Sequence, residues 1–595
     1  MLNRLRTGSQ QQLQQAACIP DGVTHRFDSV DAHNPVQKTS QRQVVTLEFA
    51  FQAIEVTRKT PAGGPLGSPL DKLVPKGGTY GYDVIAHVGC ETFLRGRKLG
   101  DVARELPRKI PFSSLYDLQH KFLYYFGHLH RQSAGQLRTY FQQRGGSSWL
   151  IDGTIEPDTP MYFGVYDSQD DILLDAWKIP SEHADVITPC LQEAATQFGP
   201  PTEVVHDLSD AMYAACNRAL DKVPQRVCHF HFLRDIGEDL LSKIQTRLRD
   251  RVRQLKLQPR LKEQRRGQAE WFREHIEQPQ VLSQVLQSGL HEVPSETLGR
   301  EVLLACHQWI LDYAHDGHRQ GFPFDPYLLY FHRRIVRVSA AIDRLLSDEA
   351  VRPQTPQVLT NFAQLLRQYL ADPQVIQATQ QYESAFNIFS RLRTELRLTA
   401  QDDNPLRGRY SLDEDEVTCI QRSLAALRDD YRQQAREGTD DSLRGCYRTV
   451  VEHLDRYWDN LFPSAGTDGR NRTTNGLESC WGASKRRCRQ RHGRKKLTRD
   501  FHSLPADFML VGNLENPIYV QIVLGEMSTL PTKLAEAGHI AGPWTHWRSQ
   551  HHPLKIAHLS RRVVRSENFI DKMIGIYDDS SDSQPDSPPP INRFG

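Results

Sequence analysis

Long apolar runs are missing from this sequence. No segment of its 595 residues approaches the ~18 uninterrupted apolar residues of a membrane span. Arg4 and Arg6 lead into a polar, Gln-rich stretch with no apolar block behind it, so the N-terminus does not read as a secretory leader. Paired cysteines are missing too. The ten cysteines are scattered from Cys18 to Cys488, and a chain this long needs no disulfide framework, which points to a reducing compartment. An excess of one charge is also lacking: 74 Lys+Arg against 72 Asp+Glu leave a net charge of +2, so overall charge identifies no partner. These absences predict a soluble intracellular protein with no membrane role.

What is present is unevenly distributed. Nine Lys/Arg and no acidic residue lie between Lys485 and Arg499, whereas Asp578–Asp586 is acidic and rich in Ser and Pro. A basic block of this kind fits a solvated face, a localisation signal or a phosphate-binding surface. At ~150 residues per domain the length predicts about three or four domains.

The composition shifts several times along the chain. Residues 1–42 are polar and predicted to be disordered, and 43–60 fits a strand or a short helix before the linker AGGPLGSP. Leu99, Val102, Ala103 and Leu106 share one helical face. Pro107 and Pro111 then break it, and Ser113 or Ser114 offers an N-cap before Leu115, Leu118, Phe122 and Phe126. The pair over 97–126 reads as an ordinary helical hairpin or as a helix-turn-helix, whose second helix enters a major groove. From residue 147, SWLIDGTI, MYFGVY and ILLDAWK are short apolar runs separated by turn-forming gaps, which predicts a three-stranded meander. A helix over 181–198, a strand EVVH, a helix over 209–220 and a fifth strand RVCHFHF over 226–232 follow. This is the strand order of an RNase H-like α/β core. Residues 233–460 change to long helical patterns without a fixed repeat.

Within that core, Asp152 lies in the first strand among apolar neighbours, where an ionised carboxylate is costly unless it is paired or binds a metal. Alone it fits equally a strand-ending, turn-capping Asp. Asp207 follows the fourth strand, which the topology sets beside the first, so the two carboxylates are predicted to face one another. Such a pair repels unless a cation lies between, and oxygen ligands suit Mg²⁺ or Mn²⁺. Asp210 is the alternate second Asp, although a helix start favours an acidic residue there anyway. Glu478 opens a helix after an Asn-Gly loop and before the basic cluster. A first-turn Glu commonly supports a helix N-terminus, yet this neighbourhood also suits a metal-binding carboxylate beside a phosphate backbone held by Lys485, Arg486, Arg487, Arg489 and Arg491.

IDGT, then VVHDLSDAMYAACNRALDKVPQRVCHFHFLRDIG, then RTTNGLE with a basic helix resembles the Mutator-like transposases and the related bacterial insertion-sequence transposases. The resemblance covers roughly 85–530 and is most specific in the central block. It implies an RNase H-like core with a catalytic and metal-binding triad, Asp152, Asp207 and Glu478, interrupted by a large all-α insertion. The 271-residue gap (478 − 207) fits such an insertion. It also implies a Cys-x-x-His element, supplied by Cys228 and His231. A zinc site is disfavoured because no second ligand pair lies near and Cys216 is poorly placed. Strand alternation instead predicts Cys228 in the core and His231 facing the site or DNA.

The expected organisation is a polar tail (1–42), an N-terminal helical, helix-turn-helix-like DNA-binding region (43–145), a mixed five-stranded core in two parts (146–235 and 466–530), the insertion (236–465), a C-terminal helical region (531–577) and a disordered tail (578–595). The implied chemistry is two-metal phosphoryl transfer on double-stranded DNA, at the terminal inverted repeats of a mobile element and at target DNA, with the ions ~4 Å apart and no covalent enzyme intermediate. A homodimer or higher homo-oligomer is expected, nucleoid-associated in a prokaryotic cytoplasm or nuclear in a eukaryotic host. Competing readings are an RNase H-like nuclease or resolvase without strand transfer, and a domesticated, non-catalytic DNA-binding protein. The first 145 residues hold only Cys18 and Cys90, so no zinc module recognises element ends.

Overall fold

The computed structural model describes residues 24–28, 34–59, 68–275, 295–347, 357–398, 414–462 and 472–540. The tail at 578–595 and most of the region 531–577 lie outside the described residues. The protein is a mixed α/β structure with one three-stranded and one five-stranded sheet. Among the described residues no helix is long and apolar enough to cross a membrane.

Strands β1 (Thr24–Asp28), β2 (Val36–Val45) and β3 (Ala50–Arg58) form the smaller sheet in the order β1-β3-β2, with β1 parallel and β2 antiparallel to β3. This corrects two expectations. The polar region 1–42 is structured over β1 and the start of β2, and 43–60 is the turn and second arm of a hairpin rather than a helix. Polarity misleads here because β2 is mostly exposed along its first eight residues and buries only Val44 and Val45. A strand with so little inward-facing apolar surface carries almost no period-two signal.

The helices α1 (Tyr82–Gly89), α2 (Leu99–Glu105), α3 (Phe112–Gln132) and α4 (Ala134–Gln143) follow. Helices α2 and α3 are the expected pair at 97–126, but α3 has no free face. Leu115, Leu118, Phe122, Leu123, Tyr124, Tyr125, Phe126 and Leu129 are all buried, and α3 packs on α1 and on the chain's last described helix. A recognition helix needs an exposed polar face. The helix-turn-helix expectation is therefore corrected: α3 is a core helix, and the hairpin is structural.

Strands β4 (Ser148–Thr154), β5 (Met161–Asp167) and β6 (Ile172–Ile179) form the expected antiparallel meander. Helix α5 (Ala184–Phe198) ends at Gly199, whose φ of +88° breaks the helix before Pro200 and Pro201. It leads to β7 (Glu203–His206), α6 (Asp210–Ala219) and β8 (Gln225–Val227), giving the order β6-β5-β4-β7-β8 with β7 parallel to both neighbours. The run Ser148–Ile151 and all of β7 are buried, as expected for strands covered on both faces.

Beyond β8 every named element up to residue 461 is helical: α7 (His229–Gln254), α8 (Leu257–His275), α9 (Ser295–Leu311), α10 (Tyr327–Ser347), α11 (Gln357–Leu370), α12 (Pro373–Glu395), α13 (Glu414–Glu437) and α14 (Asp441–Leu461). These helices share a hydrophobic core of their own, separate from the one around the five-stranded sheet. Helix α15 (Asn475–His492) and the short α16 (Thr498–Ser503), α17 (Asp507–Leu510), α18 (Pro517–Val523) and α19 (Leu530–Ile540) then return to the sheet core.

Helix α15 lies on β4 and β5 because one residue there has no side chain. A Cβ built on Gly164 of β5 meets the Trp481 indole at 2.5 Å, and Trp481 is buried to 3% exposure. The Gly164→Ala substitution is expected to destabilise by about 1–3 kcal/mol through overpacking. In urea unfolding, Gly164→Ala combined with Trp481→Ala should cost clearly less than the two single substitutions summed. Strict additivity would show that the two positions do not meet.

Candidate functional site

Register brings the first two carboxylates together. Strands β4 and β7 pair as Ser148↔Glu203, Trp149↔Val204 and Leu150↔Val205, a constant offset of 55 (203 − 148). Continued two residues past the ladder, the same offset sets Asp152 beside Asp207. On its other side Asp152 pairs with Gly164, the residue against Trp481. Asp207 Oδ1 accepts a hydrogen bond from the Ser209 amide at 3.0 Å, which holds the turn into α6. Asp210, by contrast, sits in the first turn of α6 with its side chain 87% exposed and 3.0 Å from Arg456 of α14. Of the two candidate partners, the structure turns Asp207 toward Asp152 and Asp210 away.

Glu478 reaches the same place from the first turn of α15. Residues 472–474 run along the start of α7 and fasten it there. The His229 amide donates to the Arg472 carbonyl at 2.8 Å, and the Thr474 amide donates to Cys228 Sγ at 3.3 Å. The Thr474 hydroxyl, fully buried, stands 3.5 Å from His231 Nδ1 and 3.4 Å from Glu478 Oε1. His231 Nε2 lies 3.5 Å from the same carboxylate oxygen. The Cys-x-x-His element thus clamps the N-terminus of the helix that carries Glu478.

The fifth strand ends earlier than expected. It stops at Val227, Cys228 becomes the N-cap of α7, and His229 onward is helical. The strand alternation read for Cys228–Phe232 is therefore corrected. Cys228 is buried and His231 does face the carboxylates, but through first-turn helix geometry. His229 points inward, its Nε2 on the Leu461 carbonyl at 2.6 Å and its Nδ1 accepting from Arg472 Nε at 3.1 Å.

The charges of the cluster respond to one another. Burial pushes the Asp152 carboxyl up to about 7; the His231 cation opposes that shift, and the negative charges of Glu478 and Asp207 add to it. Burial works against a charged His231, yet its contact with Cys228 and the nearby Glu478 and Asp152 charges prevail and raise it to about 9. At neutral pH the imidazolium is thus the cation that keeps three acidic groups together.

The basic cluster is largely turned inward. Lys485 Nζ is 3.3 Å from Glu156 and donates to the Ile155 carbonyl at 3.0 Å, so α15 is tied to the β4–β5 turn. Arg489 reaches the same Glu156 at 3.4 Å, and Arg487 pairs with Glu515. Arg491 is buried, 3.0 Å from Asp500 and with its guanidinium 4.7 Å over the Phe93 ring. The expectation that all five cations face DNA is corrected for Arg491, Arg487 and Lys485, which hold the protein to itself. Arg486 and Arg489 are exposed, as are Arg494, Lys495, Lys496 and Arg499.

The donor chemistry of Asp152, Asp207 and Glu478 suits a hard divalent cation, because three oxygen-donor carboxyls share one small region and raise the pKa of the most buried. Among the described residues, no three His, Cys, Asp or Glu side chains are drawn close enough to ligate a single ion. A cation would have to draw Glu478 inward from its contact with Thr474 and His231.

No protein-family model matches the chain, and no curated protein matches its sequence.

The raised Asp152 pKa has a consequence for stability. A carboxyl whose folded pKa, about 7, exceeds its unfolded value of 3.8 contributes most below pH 3.8 and loses that contribution as pH rises through 7. Without divalent cations, Asp152→Asn is therefore expected to melt above wild type at pH 8, and to lose that advantage near pH 4. A variant less stable than wild type at pH 8 would show that Asp152 is not held against its charge.

Proposed function

We propose that this chain is a DDE transposase, cutting and rejoining DNA at a carboxylate triad of Asp152, Asp207 and Glu478 on an RNase H-like core. The observation that carries the reading is the convergence of three acidic residues from distant parts of the sequence. Two are set side by side by strand register, and the third is delivered by the clamp at Cys228 and His231. The meander followed by two helix-linked parallel strands supports the fold assignment. The separate core of α7–α14 supports reading those helices as an insertion between the second and third carboxylates.

Asp152, Asp207 and Glu478 would hold Mg²⁺ or Mn²⁺, two ions in the full reading. When bound, these supply an activated hydroxyl nucleophile and stabilise the departing oxygen. The side chains provide the rest. Asp207 is oriented by the Ser209 amide. His231 acts as a positioning residue: its imidazolium offsets the carboxylate charge and steers Glu478. The exposed Arg486, Arg489, Lys495 and Lys496 flank this region and suit contacts to the phosphate backbone of duplex DNA. An RNase H-like nuclease shares every one of these residues and differs only in lacking strand transfer. A non-catalytic DNA-binding protein is the reading favoured by carboxylates that are gathered without closing on an ion.

Incubation with Mn²⁺ and duplex DNA from the gene's own flanks distinguishes these outcomes. Cleaved ends joined to a second duplex support transposition, cleavage without joining supports the nuclease, and binding without cleavage supports the third reading. Asp152→Asn, Asp207→Asn and Glu478→Gln should each lose cleavage with DNA affinity retained, whereas Asp210→Asn stays active. His231→Ala should slow cleavage by about 10–100-fold, the range of a residue that orients a ligand. An active Asp207→Asn alongside an inactive Asp210→Asn would move the second position to Asp210.

A further inference from the structure

Some 13 residues along α15 from Glu478, or about 20 Å at 1.5 Å per residue, the helix ends beside a cleft that the triad does not use. The cleft has a volume of about 360 Å³ and lies between the α2–α3 hairpin and the segment from Arg491 to Leu504. That size is in the range of small-molecule sites, ~300–1,000 Å³. One wall is aromatic: Phe112 and Tyr116 stand one turn apart on α3, and Phe112 is 60% exposed at the mouth. The floor is polar. Arg491 and Asp500 pair with each other and are 6% and 3% exposed. Yet Arg491 Nη1 and Asp500 Oδ2 are buried with no hydrogen-bond partner among the described residues. The rim carries the exposed cations Lys98 and Arg494.

We propose that this cleft receives one unpaired nucleotide of a DNA strand, an inference that rests on the DNA reading above and extends it. A stacking wall, a donor beside an acceptor, and cations at the rim are together what a nucleotide requires. The base stacks on the Phe112 and Tyr116 wall. Its pairing edge meets Arg491 Nη1 as donor and Asp500 Oδ2 as acceptor, and its phosphate stays at the rim with Lys98 and Arg494. The floor cannot take the phosphate, because the Asp500 carboxylate would repel it. The pairing edge of every base presents both an acceptor and a donor, so the floor admits a base without fixing its identity. A base within a duplex has its faces covered and its pairing edge occupied, so the occupant is unpaired or turned out of the stack. At 3.4 Å per step, 20 Å corresponds to about six nucleotides from the triad.

The test uses the full chain in EDTA, which separates binding from cleavage, with a fluorescent single-stranded oligothymidylate and a fluorescent duplex as probes. Wild type is expected to bind both. Phe112→Ala, at a largely exposed position, should bind the single strand about tenfold more weakly, the loss expected for one stacked base, with duplex affinity unchanged. Lys98→Glu should weaken the single strand as well. Wild-type affinity of Phe112→Ala for the single strand overturns the proposal and, with duplex binding intact, leaves the DNA reading standing. Thymidine 5′-monophosphate competing as tightly as the oligonucleotide also overturns it, since the site would then be one for free nucleotides. Failure of wild type to bind either DNA removes the DNA reading and this inference together.

Discussion

Mutual repulsion among Asp152, Asp207 and Glu478 is the constraint around which the rest of the structure is arranged. Like charges so placed destabilise a folded chain unless something offsets them. Here the offset within the protein is the His231 imidazolium, raised to about 9 by its neighbours. It is incomplete, because Asp152 is still pushed up to about 7. A region that stays short of positive charge in its resting state holds free energy that a bound cation would release. A stability-driven sequence would place Asn or an apolar residue at Asp152, and its retention in a half-buried strand argues for a use of the charge.

Holding that arrangement requires elements that are remote in sequence to be rigid with respect to one another. Two are neighbouring strands, and their register alone fixes Asp152 against Asp207. The third arrives after eight helices with a core of their own, so its placement cannot come from sheet register. It comes instead from a short strap, Arg472 to Thr474, bonded along the first turn of α7. That turn begins where β8 ends, so the strap is fastened to the chain emerging from the sheet itself. Movement within α7–α14 is thereby decoupled from the distance between Glu478 and the two aspartates.

The parts legible in the sequence are those governed by local rules. β4 to β7 carry short apolar runs bounded by turn residues, and they appear within a residue or two of their expected limits. Asp152, Asp207 and Glu478 were legible because each stands at the end of such an element. The errors have identifiable causes. Residues 226–232 are rich in aromatic and β-branched side chains, yet the Arg472 carbonyl and Thr474 amide, supplied from more than 240 residues away, favour a helix start at Cys228. Helix α3 was read from one apolar face, although Tyr124, Tyr125 and Leu129 make it apolar nearly all round, the pattern of a buried helix. Thr474 gave no signal because its role lies in contacts to α7 that no local pattern encodes.

The basic cluster shows why charge counting cannot separate binding from packing. Lys485, Arg487 and Arg491 lie on α15 among exposed cations, and nothing local marks them as different. Their partners, Glu156, Glu515 and Asp500, come from three separate segments. With Trp481 seated over Gly164, these pairs pin α15 along its whole length. A buried pair such as Arg491 with Asp500 contributes little net stability once desolvation is counted, but losing one partner is costly, so it fixes position more than it adds energy. Helix α15 is therefore a rigid element with a set distance between Glu478 at one end and the Arg491 cleft at the other. Cations held inward cannot hold DNA, but they fix the orientation in which the outward ones, Arg486 and Arg489, are presented.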